Sequence, residues 1–202
     1  MLYLSKDKEG NMLDLQYLSM EELEAGLDHI RQAPTDQGIL KMIVRRPNVD
    51  EREVLQTGEL DTEQGLVGDT WNVRVNTHSK DGLASVNKQI TIMNARSVAL
   101  LAQSEERWPL AGDQLYVDMD LSDDNLPPGT QLAIGSAILE VSPDPHTGCQ
   151  KFSSRFGVEA LKFVNSPEGK QLHLRGINTK VIQAGTIRVG DVVKRFEKQV
   201  NG

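Results

Sequence analysis

Cysteine is almost missing from this chain: Cys149 is the only thiol in 202 residues. That excludes an internal disulfide, and with it the stapled architecture of small secreted domains. It also argues against structural zinc, because His146 and Cys149 supply two ligands where such a site needs four. Aromatic residues make up only 4% of the chain, so its core must be built from Leu, Ile and Val. No stretch of about 18 apolar residues exists to cross a membrane. The first residues lack the charged-then-apolar layout of a secretory signal, and the cytoplasm is the expected location. Neither Gly-x-Gly-x-x-Gly nor a P-loop occurs, which removes the usual support for a nucleotide fold.

Positive charge is scarce overall and concentrated locally. The net charge is −7, yet residues 142–202 carry 10 basic and 5 acidic side chains against 12 and 24 in residues 1–141. An acidic chain with few aromatics does not suit nucleic acid. Its basic portion, which contains Cys149, reads either as drift along the chain or as a local site for a small anion such as a phosphate ester. With 38% hydrophobic and 25% charged residues, the chain has the composition of one large or two small globular domains.

Ser19-Met20-Glu21-Glu22 has the form of a capping box, and Met20, Leu23, Leu27 and Ile30 follow at helical spacing until Pro34. Residues 19–32 are therefore expected to form one amphipathic helix, in an extension over 1–34 that precedes a main domain over 35–197. From Gly38 the pattern turns strand-like. Residues 114–121 place Leu115, Val117, Met119 and Leu121 on one face and Tyr116, Asp118 and Asp120 on the other, the pattern of a half-buried strand. Further strands are expected over 39–45, on either side of Gly135-Ser136 within 131–141, and over 180–182, 186–189 and 192–196. Short strands with frequent turns favour a closed or partly closed β-barrel over a βαβ sheet. Helices are expected at 95–103, capped by Asn94, at 158–164, and from Ser166-Pro167.

The segment around the thiol carries the chemistry. Pro143-Asp144-Pro145 holds the backbone extended or turning, and Gly148 offers conformational freedom beside Cys149. His146, Lys151 and Arg155 are placed to tune a thiolate or grip an anion. A lone cysteine is equally a small buried hydrophobe, and both readings stand at this level. Asn94 and Arg96, at a strand-to-helix junction, are weaker candidates for lining a pocket; the competing reading makes Asn94 a cap and Arg96 an ion-pair partner.

Taken in order, Gly65-Leu66-Val67-Gly68-Asp69, Asn87-Lys88-Gln89-Ile90-Thr91, Cys149 with Arg155-Phe156-Gly157, and Leu174-Arg175-Gly176 followed by Gly185-Thr186-Ile187-Arg188-Val189-Gly190-Asp191 resemble the MOSC family, the C-terminal domain of molybdenum cofactor sulfurases. The resemblance runs from about residue 38 to 196. It implies a mainly β domain like the β-barrel of pyruvate kinase, with a few peripheral helices, and it matches Cys149 to the family's characteristic cysteine. It further implies molybdenum cofactor, or a related pterin phosphate, as a small anionic ligand near Cys149, His146, Lys151 and Arg155. Cys149 then either carries persulfide sulfur or ligates molybdenum in the reduction of N-hydroxylated compounds, with a molybdoenzyme or an electron-donor protein as partner. Pyridoxal phosphate belongs to the family by association only, and no desulfurase domain is recognisable in this chain, which reads as a stand-alone bacterial-type member. Asn76-Thr77-His78-Ser79 departs from the His-Gly-rich stretch of some such members. The alternative is a non-catalytic binding barrel with a buried, inert cysteine.

Overall fold

The computed structural model describes residues 17–73 and 84–196, with the backbone of two short paired strands, β1 (Ser5–Lys6) and β2 (Met12–Leu13). Asn76 to Ser79 and the last residue of the expected main domain lie outside the described residues. In chain order the remaining strands are β3 (Gln37–Arg45), β4 (Glu53–Leu55), β5 (Thr57–Asp61), β6 (Gly65–Leu66), β7 (Ile90–Asn94), β8 (Leu115–Asp118), β9 (Gln131–Ile134), β10 (Ala137–Val141), β11 (Ile177–Gln183), β12 (Gly185–Arg188) and β13 (Val192–Arg195). Seven of them close a barrel in the order β3–β8–β7–β11–β10–β9–β13 and back to β3. All neighbours are antiparallel except β7 and β8, which run parallel and are joined by a helical crossover. The long strand β3 makes closure possible: its first residues pair with β13, its last with β4, and its other edge with β8. A separate sheet of β12, β5 and β6 lies alongside.

The barrel wall is apolar on both sides. Leu40, Ile92, Leu115, Val117, Leu132, Leu139 and Val193 belong to one core cluster formed by the strands. Met42, Val44, Met93 and Tyr116 belong to a second, shared with the helices. In β3 a register shift between Leu40 and Met42 lets Leu40 and Ile43, three apart, join the same cluster. Each aliphatic side chain fully buried in this way stabilises the fold by roughly 1.5–3 kcal/mol.

Two expectations are corrected here. Strand β8 is not half-exposed: Tyr116 has no exposed surface, and its hydroxyl donates to the Trp108 carbonyl at 2.7 Å. The helical layer covers the face that solvent would otherwise meet. The expected single helix over 19–32 is two, α1 (Met20–Ala25) and α2 (Leu27–Arg31). The capping box of Ser19 and Glu22 forms, but the helix turns at Gly26, where a Cβ atom would come within 2.5 Å of Leu100. The contact is with the end of the Leu100 side chain on α3 (Ala95–Ala102), which packs against the bare backbone there. Leu23, Leu27 and Ile30 reach the helical core.

The expected helix after Asn94 is present as α3, its cap accepting from the amides of Arg96 and Ser97. The later helices are α4 (Gln150–Phe156), α5 (Val158–Asn165) and α6 (Pro167–Gln171), the last capped by Ser166. Helix α4 was not foreseen from the sequence.

Candidate functional site

Cys149 stands at the N-cap of α4 and is free and exposed. Its exposure removes the basis for reading it as a buried hydrophobe. The loop before it is fixed at several points. The Ser142 hydroxyl accepts from the Asp144 amide, and the Asn178 side chain donates to the Asp144 carbonyl. Asn165 on α5 clamps Gly148, accepting from its amide at 3.0 Å and donating to its carbonyl at 3.2 Å. Gly148 is not in a left-handed conformation. Its lack of a side chain serves packing, since a Cβ atom would sit 2.8 Å from Leu161. After the thiol, Phe152 and Phe156 anchor α4 in the helical core with ring centroids 4.9 Å apart.

The thiol opens onto a cavity of about 680 Å³, whose lining includes His146, Lys151, Phe152 and Arg155 from its own segment. Arg46, Asp50 and Arg52 enter from around β3 and β4, Thr91 from β7, and Arg175 from the segment before β11. Four expected site residues, Cys149, His146, Lys151 and Arg155, thus meet in one place. Asn94 and Arg96 do not line it. Asn94 caps α3 and donates to the Met119 carbonyl, while Arg96 pairs with Asp118 at 2.7 Å and donates to the His29 carbonyl. The competing structural reading of both residues is the one the contacts follow.

Five residues of this neighbourhood were not picked out as site residues from the sequence: Arg46, Arg52, Asp69, Asp113 and Arg175. Arg46 is gripped by both oxygens of Asp69, which also accepts from the Arg46 and Trp71 amides. The Gly68-Asp69 turn therefore supplies a buried counter-ion. Arg175 donates to Asp113 at 2.6 Å and to the Ala111 carbonyl, and it lies over the Phe152 ring at 4.9 Å. Arg175-Gly176 was visible as part of a motif, but no spacing in the sequence ties it to Asp113.

His146 completes this cluster. Its Nδ1 lies 3.5 Å from Asp113 Oδ1. These two atoms and Arg175 Nε are buried without a hydrogen-bond partner among the described residues. Burial, and next the positive charge of Arg175, push the His146 pKa down to about 3, so the imidazole is neutral near pH 7. The cavity lining therefore brings together the Arg175 side chain, a neutral imidazole and an exposed thiol. Unsatisfied buried polar atoms cost free energy.

A MOSC domain model matches residues 77–194 of the chain. No curated protein matches it. Among solved structures, YuaD from Bacillus subtilis is similar over 80% of this chain and 97% of its own, at 16% identity and a TM-score of 0.53. YiiM from Escherichia coli is similar over 79% of this chain and 70% of its own, at 16% identity and a TM-score of 0.52. At such identity these likenesses show the fold alone. Association with the molybdenum cofactor is a property of the matched family in general. More than half of the sequence lies within the matched model, and the chain belongs to the MOSC domain family.

Proposed function

We propose that this protein holds molybdenum cofactor, or a related pterin phosphate, in the cavity beside Cys149. The observation that carries this reading is an exposed thiol on a cavity lined by Arg46, Arg52, Lys151, Arg155 and Arg175, with Asp50 the only carboxylate in that lining among the described residues. The residues fit such a ligand. A thiolate is a soft donor suited to a soft metal centre, and guanidinium groups suit a phosphate. Cys149 would face the metal, Lys151 and Arg155 the phosphate, and His146 and Arg175 the polar edge of the pterin.

Bound molybdenum supplies redox and oxygen-transfer chemistry. The chain's own residues bind, orient and hold charge around it. Cys149 has one of two uses: carrying a persulfide sulfur to the cofactor, or ligating molybdenum in the reduction of N-hydroxylated compounds. The first needs a sulfur donor and the second an electron donor, each a partner protein. The exposed thiol is reachable for either.

The test is to purify the protein from cells that make the cofactor and assay it for molybdenum, pterin and the mass of the Cys149 peptide. Metal ligation predicts molybdenum that Cys149→Ser loses. Sulfur carriage predicts a peptide heavier by one sulfur atom, with pterin retained by the variant. Protein with neither molybdenum, pterin nor added sulfur overturns the proposal.

A further inference from the structure

The cavity lining divides by charge. Toward its buried side the cations already have counter-ions: Arg46 has Asp69 at 2.7 Å and Arg175 has Asp113 at 2.6 Å. Among the described residues, the other three, Arg52, Lys151 and Arg155, have between them only Asp50. Its Oδ1 lies 3.4 Å from Arg155 and 3.8 Å from Lys151. Arg52 has no carboxylate within ion-pair distance among the described residues, and donates instead to the carbonyls of Glu51 and Pro109. Burial above all, and then the nearby charges of Arg155 and Arg46, lower its pKa.

Asp50 itself is loosely held. Its side chain is 65% exposed, and its backbone takes φ +60°, a left-handed conformation uncommon for a residue with a side chain. The pair with Lys151 is exposed on both sides and the pair with Arg155 on the Asp50 side, and at 3.8 and 3.4 Å such contacts contribute about 0–1 kcal/mol. Displacing Asp50 is therefore cheap. A phosphate monoester brings more charge than a carboxylate and enough oxygens to meet three cations at once, where Asp50 meets two at long range.

We infer that Arg52, Lys151 and Arg155 form an anion subsite for a phosphate monoester, and that Asp50 is an internal carboxylate occupying it until the ligand displaces it. This deepens the function proposed above by naming where that ligand's phosphate is held, and it rests on the same cavity being the ligand site. It does not depend on the ligand containing molybdenum.

The experiment is titration of the full chain with inorganic phosphate, followed calorimetrically, with acetate as the carboxylate comparison. Asp50→Asn removes the competitor and is expected to bind phosphate about fivefold more tightly, roughly 1 kcal/mol. Arg52→Gln is expected to bind about tenfold more weakly. Lys162→Gln, whose lysine pairs with Glu159 outside the cavity, is expected to bind as the unaltered chain does. Acetate is expected to bind more weakly than phosphate throughout, and added salt to weaken both. Unchanged or weaker phosphate binding by Asp50→Asn overturns the inference, as does Arg52→Gln binding like the unaltered chain. Thermal melting reports whether each variant is folded; if Arg52→Gln is not, the Asp50→Asn result decides. Protein that lacks molybdenum and pterin yet shows these phosphate responses refutes the cofactor reading alone. Cofactor-bearing protein without them refutes the subsite alone.

Discussion

Acid should destabilise this protein through His146 before any ordinary carboxylate titrates. In the folded chain burial and Arg175 hold its pKa at about 3, while the unfolded value is near 6.5. Above pH ~6.5 the imidazole is neutral in both states, and its contribution does not change with pH. As the pH falls below that value, the unfolded chain binds a proton that the native chain refuses. Stability then drops by ~1.4 kcal/mol per pH unit, and the drop ends only as the pH nears the folded value. Between pH ~6.5 and ~5 this amounts to roughly 2 kcal/mol, a window that lies above the usual carboxylate range. The side chain is only 16% exposed, so solvent screens little of the effect. The assay is urea unfolding across that window for the unaltered chain and for His146→Gln, which keeps a polar group near Asp113 without a titrating ring. The variant is expected to lose most of the slope. Parallel pH dependences would show that His146 is not held neutral, and the account of the buried cluster would fail with it.

Three further outcomes follow from the site's geometry. Asp69→Ala leaves the guanidinium of Arg46 buried without its counter-ion and should cost about 3–5 kcal/mol in chemical denaturation; a loss below ~1 kcal/mol would mean that water or a neighbour replaces the carboxylate. Gly148→Ala pushes a Cβ atom against Leu161 and Val164 and should cost roughly 1–3 kcal/mol, read from the same unfolding curves. Cys149→Ser, at an exposed position, should leave stability within about 0.5 kcal/mol of the unaltered chain, so that any lost cofactor binding is chemical rather than structural.

Local signals carried far in this sequence, and failed where the answer lay in a distant segment. The capping box at Ser19, the Asn94 cap and the Ser166-Pro167 start are each a few residues long and appear in the structure where expected. Alternation through 115–121 found the inward face of β8 but left Tyr116 outside, because alternation assumes solvent on the second face. Helix α4 was missed although Phe152 and Phe156 are four apart, a helical signal set among polar residues and overshadowed by the thiol. The site shows the same limit. Cys149, His146, Lys151 and Arg155 are neighbours in sequence and share the cavity, whereas Asp113 and Arg175 are 62 residues apart and meet only through folding. Arg96 sits at a strand end of the kind that often presents ligand groups, but Asp118 on the adjacent strand takes its guanidinium.

The barrel wall is a partition between two separately filled compartments, and the thiol is mounted on the outer one. Helix α4 is seated by Phe152 and Phe156 among residues of the helical core, and Asn165 of α5 ties down Gly148. The height of Cys149 above the cavity is thus set from behind, by how well the outer compartment is filled. A volume change at Phe156, Ala160 or Phe163, none of which lines the cavity, acts as an adjusting screw on the sulfur. Variation in the outer compartment would move the thiol together with Lys151 and Arg155, which ride on the same helix, while Arg46 keeps Asp69.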